Sequence, residues 1–389
     1  MFHTARLTDG QKRKDGVEMN DWKKHWVNMP KYNNIKRPEP EVTAKFNFKT
    51  QEDYDEFHKL IKKHIYDGKK VFDGMQKKDA KTTWFPLEEK SSSYIYTHKK
   101  RINPRFPIYI VSKGRSHRLP TIRALDEMQV DYKVIIEQED YEDYAQVVDP
   151  KKLLILPVKY KKDYDCFWDD GCDTTGPGAA RNYAWDHSIT EGYDWHWVMD
   201  DNIESFERLN NNKKIKCDSG NIFFSAEDFV LRYKNIGQAG FQYAFFCPAS
   251  DSRPAYKLNT RIYSCLLIKN SLSLRWRGRY NEDTDLSLRV LKMGLCTVQF
   301  NAFLQGKRAT QTIQGGNTEV FYKNEGTLNK SKMLQDMHPD VCKVVWRYNR
   351  WHHDCNYNVY KQQLIPIDKF TDQSQSNEFD MVLKRKDGK

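Results

Sequence analysis

Between residues 107 and 310, short blocks of apolar residues alternate with segments in which apolar residues recur three and four positions apart, as on one face of a helix. Four of these blocks have the length of buried strands and occupy residues 108–111, 132–136, 153–156 and 195–199. Apolar residues three and four apart follow the first two blocks and predict helices over about 120–128 and 141–148. This alternation predicts βαβ units, and so an α/β fold with a mostly parallel sheet flanked by helices.

The apolar block at 195–199 ends abruptly in three polar residues, Asp200, Asp201 and Asn202. In an α/β sheet such a strand end lies at the carboxyl edge, where ligands bind. Adjacent carboxylates repel each other unless a cation lies between them, and a divalent metal ion carrying a diphosphate meets that need. We therefore expect Asp200 and Asp201 in a metal and phosphate site. Asn202 offers a neutral, weaker oxygen, and the alternative is an aspartate pair that caps a turn.

Basic and glycine residues follow the other predicted strands. Ser112, Arg115 and Arg118 lie in a turn after the first strand, and a guanidinium group suits a phosphate. A later helix opens at Gly178 with Arg181 in its first turn, and a helix N-terminus presents free N–H groups and partial positive charge. An ordinary basic turn and a tightly packed helix start are the alternatives.

Acidic residues occupy two further positions of interest. Glu137 follows the second strand, although it also begins an acidic stretch that a solvated loop would explain. Glu282 and Asp283 precede a helix whose Leu286 and Val290 lie on one face. A carboxylate in such a place can act as a general base, but Asp283 is also a good N-cap residue.

The composition favours an intracellular protein with a polyanionic partner. Among 389 residues there are 64 Lys and Arg against 53 Asp and Glu, and 13% are aromatic. Such a balance suits nucleic acid, with rings stacking on bases, although most rings will fill a core. The eight cysteines form no CxxC pair and no disulfide-like spacing, which favours a reducing compartment. The amino terminus does not read as a signal peptide, and no run of about 18 apolar residues exists, so we expect no membrane partner.

The chain divides into six parts by changes of pattern. We expect a flexible arm at 1–20, a small α+β accessory module at 21–90, a basic linker at 91–106, the main domain at 107–310, a basic and aromatic extension at 311–370, and a tail at 371–389. In the small module, strands are predicted near 42–48 and 82–86, with a helix after Thr50 between them.

The order of these motifs resembles that of GT-A nucleotide-sugar glycosyltransferases. The strand and SxGR turn, the strand with an acidic end, the GxGxARN helix, the strand ending in Asp-Asp-Asn and the Glu-Asp pair before a helix appear in that order between Pro107 and Tyr360. Within that superfamily the chain most resembles the bacteriophage TET-associated glycosyltransferases, which modify hydroxymethylated pyrimidines in DNA. The resemblance implies a Rossmann-like GT-A domain. The motif Asp200-Asp201-Asn202 departs from the usual Asp-x-Asp of that superfamily, because its third residue is asparagine.

The resemblance also implies roles for individual residues. Mn²⁺ or Mg²⁺ would be held by Asp200, Asp201, Asn202 and His353, with His352 as the weaker choice. The UDP-sugar would be bound by a larger set, namely Ser112, Arg115, Arg118, Glu137, Gly178, Arg181, Asn182 and Asp200. Asp283, or Glu282 second, would be the general base of an inverting single displacement.

We expect a phage DNA glycosyltransferase that acts on 5-hydroxymethylcytosine in the cytoplasm of the infected bacterial host. The base would be flipped out of the duplex to reach the donor. Glucose is the default sugar, and a pentose such as arabinose stays open. The residues expected to contact DNA are Arg275, Trp276, Arg277, Arg347, Arg350 and Trp351. A GT-A enzyme acting on a glycan or protein, and an inactive DNA-binding module, are the alternatives.

Overall fold

The computed structural model describes residues 22–36, 48–60, 91–167, 175–249, 252–307, 327–347, 349–367 and 376–386. The arm expected at 1–20 and the strand expected at 82–86 lie outside the described residues, as does all but Phe48 of the strand expected at 42–48.

The described elements alternate between helix and strand in the main domain. The helices are α1 (Trp22–His25), α2 (Gln51–Leu60), α3 (Pro120–Glu127), α4 (Tyr141–Ala145), α5 (Val158–Lys162), α6 (Gly178–Thr190), α7 (Asn221–Leu231), α8 (Glu282–Lys292) and α9 (Leu328–Met337). The strands are β1 (Tyr94–His98), β2 (Ile108–Val111), β3 (Lys133–Ile136), β4 (Leu153–Ile155), β5 (Trp195–Asp200), β6 (Ile203–Asn210), β7 (Lys213–Lys216), β8 (Ile236–Tyr243), β9 (Tyr256–Leu258), β10 (Cys265–Lys269), β11 (Cys296–Lys307), β12 (Cys342–Arg347), β13 (Arg350–Cys355) and β14 (Met381–Arg385).

A ten-stranded sheet in the order β4-β3-β2-β5-β10-β8-β11-β6-β7, with β9 beside β11, forms the centre of the described structure. The strands β4, β3, β2 and β5 are parallel neighbours. Because β10 lies antiparallel between β5 and β8, those two strands run the same way, and β11 is parallel to β8. The strand β7 is antiparallel to β6 and so runs the same way as β11. Seven of the ten strands therefore end at one edge of the sheet. The prediction of an α/β fold is confirmed, and the opposed strands β6, β9 and β10 make the sheet mixed.

Helices cover both faces of the sheet, which explains the nearly continuous apolar strands. Alternate residues of β2 enter different cores: Ile108 and Ile110 pack with α3 and α7, and Tyr109 and Val111 pack with α6 and α8. The strand β5 alternates in the same way and is buried from Trp195 to Met199. Since both faces are occupied, the sheet edge is left to form a site.

Segments at both ends of the chain join the main domain. The stretch interpreted as a linker contains β1, which pairs antiparallel with β14 in the stretch interpreted as a tail. Near the amino terminus, Trp26 and Met29 are buried in the main core, and the Trp26 ring lies 5.6 Å from that of Phe229. The helix α2 follows Thr50 as expected, with the Asp53 amide donating to the Thr50 hydroxyl at 3.1 Å.

The antiparallel hairpin of β12 and β13 corrects the expectation that the cysteines are unpaired. Cys342 and Cys355 lie opposite each other in the hairpin register and form a disulfide. They are 13 residues apart, and only the strand pairing brings their Cα atoms to 4.2 Å. Cys217, Cys265 and Cys296 are free and buried. Among the described residues, no helix is both long and apolar enough to cross a membrane.

Candidate active site

A cleft of about 600 Å³ lies at the sheet edge where the parallel strands end. Val111, Ile136 and Asp200 line it from the ends of β2, β3 and β5, and Tyr243 and Lys307 line it from the ends of β8 and β11. The residues predicted from sequence that the structure brings together here are Ser112, Arg115, Glu137, Arg181, Asp200, Asp201, Asn202, Glu282, Asp283, Arg350, His352 and His353.

Asp200 lies at the centre of a network of cations. Its Oδ1 accepts a hydrogen bond from Arg181 Nη2 at 2.7 Å. Its Oδ2 accepts from Lys307 Nζ at 2.6 Å and from Ser264 Oγ at 2.7 Å. Burial opposes ionisation, but the charges of Lys307 and Arg181 hold the pKa of Asp200 well below its usual range. Asp200 is therefore an anion with both carboxylate oxygens occupied.

Asp201 is buried and held on the side of the cleft formed by the turn after β2. Its Oδ1 accepts from Arg115 Nη1 at 2.6 Å, and its Oδ2 accepts from Ser112 Oγ at 2.7 Å. Tyr144 extends this chain, since its hydroxyl lies 2.6 Å from Ser112 Oγ and accepts from the Arg115 amide. Burial raises the pKa of Asp201. The four side chains fix the turn after β2, and Asp201 braces this turn while it also lines the cleft.

Glu137 lies at the far end of the cleft, beyond β3. Its two carboxylate oxygens accept from Lys113 at 2.7 Å and from Lys161 at 2.8 Å. Burial favours the neutral acid, but hydrogen bonds that include these two hold the pKa of Glu137 well below its usual range. It is an anion between two ammonium groups.

Glu282 and Asp283 begin α8 at the other end of the cleft. Asn281, the residue before the helix, has a left-handed backbone with φ of 52°, which Asn tolerates better than most residues. Asp283 Oδ1 accepts from the Thr284 amide at 2.8 Å. Burial raises the pKa of Asp283 to about 7, and the neighbouring charge of Glu282 adds to that effect. A carboxylate with that pKa suits proton abstraction near neutral pH.

Arg181 is buried between two carboxylates. Its guanidinium donates to Asp200 at 2.7 Å and to Glu282 at 2.9 Å, and the side chain is only 3% exposed. It also stacks on Trp276, with 4.7 Å between the guanidinium carbon and the ring centroid. Arg181 was expected to bind the diphosphate directly. The structure places its guanidinium in the cleft lining between the two acids, where it positions both of them. Direct contact with the diphosphate stays a prediction.

Three of the expected nucleotide-binding residues do not line the cleft. Gly178 packs against Tyr164, and a Cβ at this position would lie 1.8 Å from the Tyr164 hydroxyl. Asn182 links α6 to the loop before α8, because its side chain donates one hydrogen bond to the Trp276 carbonyl and accepts another from the Trp276 amide. Arg118 lies in the turn after β2 but outside the cleft lining. In the pattern GxGxARN, Gly178 and Asn182 therefore serve the packing of the helix, and Arg181 lines the cleft.

The residues expected to contact DNA separate into two groups. Trp276 is 1% exposed, so it offers no ring face to a base, and Arg275 and Arg277 are ion-paired with Asp186 and Asp285.

The second group belongs to the β12–β13 hairpin, beside the cleft. Trp346 and Trp351 are 56% and 39% exposed, with ring centroids 5.1 Å apart. Arg347 is exposed and pairs with Asp354, and Arg350 lines the cleft.

The side chains expected to hold a metal ion do not fit a divalent ion bound directly by the two aspartates. Both oxygens of each aspartate already accept from a cation or hydroxyl. Burial and the nearby charges of Lys330 and Arg261 lower the pKa of His353 to about 3. This imidazole therefore lies beside cationic side chains. Asn202 Oδ1 is buried and lacks a hydrogen-bond partner within the described ranges. Nor do the described residues include three grouped His, Cys, Asp or Glu side chains that could hold a metal. The metal expected from the resemblance stays a prediction.

Several cleft residues were missed by the sequence analysis, among them Lys307, Ser264, Tyr243, Phe245 and Phe246. Lys307 and Tyr243 end the strands β11 and β8, which run parallel to β5, and Ser264 precedes β10, which runs antiparallel between β5 and β8. A polar residue at the end of an apolar run was the available signal. The strand directions needed to use it were not known.

The fold and the cleft define an α/β enzyme whose site lies at the carboxyl edge of its sheet. Residues 106–316, just over half of the chain, match the model of the family described as TET-Associated Glycosyltransferase. The chain belongs to this family and is a glycosyltransferase, as the resemblance indicated. No curated protein matches the chain significantly.

Proposed function

We propose that the protein transfers a sugar from a UDP-sugar to the hydroxyl of 5-hydroxymethylcytosine in DNA, within the cytoplasm of an infected bacterial host. The domain is of the GT-A type, and glucose is the first sugar to test. The observation that carries the proposal is the single cleft that joins the turn after β2 to the buried acid Asp283. Family membership supports the transfer chemistry.

The nucleotide would occupy the parallel half of the cleft, between β2 and β3. Carboxyl ends of parallel strands bind nucleotides in open α/β sheets. This end carries Lys113, Arg115 and the paired anion Glu137, which suit phosphates, ribose hydroxyls and base edges. The Asn202 side-chain oxygen has no hydrogen-bond partner among the residues that the structure describes, and it suits a hydroxyl donated by the ribose or sugar.

The acceptor base would enter from the aromatic half of the cleft. Phe245 and Phe246 are 43% and 46% exposed, and both line the cleft. The Phe245 ring stacks on Tyr243 with 5.1 Å between centroids and an interplanar angle of 15°. Flat, exposed rings suit a flipped base, which stacks without regard to sequence. The exposed tryptophans and arginines of the hairpin would contact the flanking strand.

The reaction would be one in-line displacement with inversion. Asp283 takes the proton of the acceptor hydroxyl as the oxygen attacks the anomeric carbon. The bond from that carbon to the diphosphate breaks, and its electron pair leaves with UDP. Arg181 holds Asp200 and Glu282 in place and so positions both acids beside the leaving group. Glu282 is engaged by Arg181, which favours Asp283 as the base.

Incubation of the protein with UDP-sugars and with hydroxymethylated or plain DNA tests the proposal. The products are digested to nucleosides and weighed by mass spectrometry. Added mass on hydroxymethylcytosine alone supports the assignment. Sugar transfer to a glycan or protein, with none to DNA, would replace the acceptor, and no turnover of any UDP-sugar would refute the donor.

A further inference from the structure

The ammonium group of Lys307 lies beside Asp200, one of the residues that were expected to hold a metal ion. Nζ lies 2.6 Å from Asp200 Oδ2 and 2.8 Å from Ser264 Oγ. The side chain is 7% exposed yet lines the cleft, so its charge faces the site from a buried stem. An ammonium has three N–H donors. Two are used within the described part of the chain, which leaves one for a ligand oxygen.

The backbone directs Lys307 to this place. The register between β11 and β6 shifts between Gly306 and Lys307, which marks a β-bulge. Bulges next to active sites re-aim a side chain. At Gly306 a Cβ would lie 2.1 Å from Ser205 Oγ, so any larger residue would have to displace that hydroxyl. The Gly-Lys pair at the end of β11 is thus built to present the ammonium beside Asp200.

The charges around the cleft leave little need for a further cation. Eight basic side chains line it, namely Lys113, Arg115, Arg181, Arg261, Arg279, Lys307, Lys330 and Arg350. Five acidic ones oppose them: Glu137, Asp200, Asp201, Glu282 and Asp283. With all of these ionised, the lining has an excess of three positive charges before any ion binds. A diphosphate is matched by that excess, whereas a divalent cation beside Lys307 is repelled.

We propose that Lys307 replaces the divalent metal and that the enzyme binds and releases the diphosphate without one. This rests on the proposed function for the donor. When the bond between the anomeric carbon and the diphosphate breaks, the electron pair goes to the diphosphate oxygen, and the Lys307 N–H group donates to the departing anion. Lys307 stays protonated throughout, and the acceptor proton goes to Asp283.

The experiment measures UDP binding by calorimetry and sugar transfer to hydroxymethylated DNA, each with EDTA and with added Mn²⁺. Wild-type protein is expected to bind UDP and to turn over equally in both, within about twofold. Lys307→Met should lower kcat/KM by about 100-fold and weaken metal-free UDP binding by about tenfold. Lys292→Met is the matched control, because its ammonium pairs with Asp340 at 2.7 Å outside the cleft.

Each outcome decides one of the two proposals. UDP binding or transfer that requires Mn²⁺ in the wild type overturns the role of Lys307 and leaves the glycosyltransferase assignment intact. This comparison does not depend on whether the variant folds. Metal-free UDP binding that is lost in Lys307→Met, with no transfer to DNA, supports Lys307 and overturns the acceptor. Full activity of Lys307→Met in EDTA also overturns the proposed role of Lys307.

Discussion

The pH dependence of transfer follows from the burial of Asp283. Burial raises the pKa of this carboxyl to about 7 from an ordinary value of 3.8. Since only the ionised form accepts a proton, kcat/KM should rise with pH and level off above neutrality. With that pKa, about 3% of the enzyme is ionised at pH 5.5 and about 90% at pH 8, so the rate should differ roughly 30-fold.

Asp283→Asn tests the same carboxylate by removing its basicity. The amide oxygen can still accept from the Thr284 amide, so the local backbone should be kept. General base catalysis contributes about 10² to 10⁴-fold, and we expect a kcat/KM loss in that range with unchanged UDP binding. A variant within tenfold of wild type, or a flat wild-type profile from pH 5.5 to 8, would refute Asp283 as the base.

The stability of Asp283→Asn should move in the opposite direction. The folded pKa lies above the unfolded value, so folding favours the protonated acid, and ionisation lowers stability as pH rises from about 4 to 7. At pH 8 the amide should stabilise the fold by up to about 4 kcal/mol in urea unfolding.

Asp285→Asn, two residues along α8, is the control of opposite sign. Asp285 pairs with Arg277, Arg289 and His338 and has a lowered pKa, so its stabilising effect is present above its usual range and is lost as pH falls. Its removal at pH 8 should cost about 3 kcal/mol.

Three further variants test the acceptor side and the packing. Replacing Phe245 and Phe246 by Ala should raise the KM for DNA about tenfold without changing the affinity for UDP, measured by steady-state kinetics and calorimetry. Trp351→Ala should weaken DNA binding by about fivefold in fluorescence anisotropy, with thermal stability unchanged because the ring is exposed. Gly178→Ala should lower the free energy of unfolding by about 1–3 kcal/mol, since the new methyl group meets the Tyr164 ring; an unchanged melting temperature would contradict that contact.

Local pattern was sufficient where a residue's place depends on its own strand or helix. Asp200 ends an apolar run, and Asp283 begins a helix, so both could be located at element ends before their neighbours were known. Their meeting in one site was implied only by the family resemblance, because α8 follows β10, which runs antiparallel to β5. Exposure did not follow: Trp276 was expected at the surface and is buried.

The sequence by itself determined the α/β alternation, the acidic strand end after Met199 and the acids that begin α8. Only the tertiary structure decided that Lys307, Ser264 and Tyr243 join them, and that Cys342 faces Cys355. The physical reason is that the spacing of apolar residues and the ends of strands depend on neighbouring residues. The direction of β10 between β5 and β8 depends instead on contacts between residues far apart along the chain.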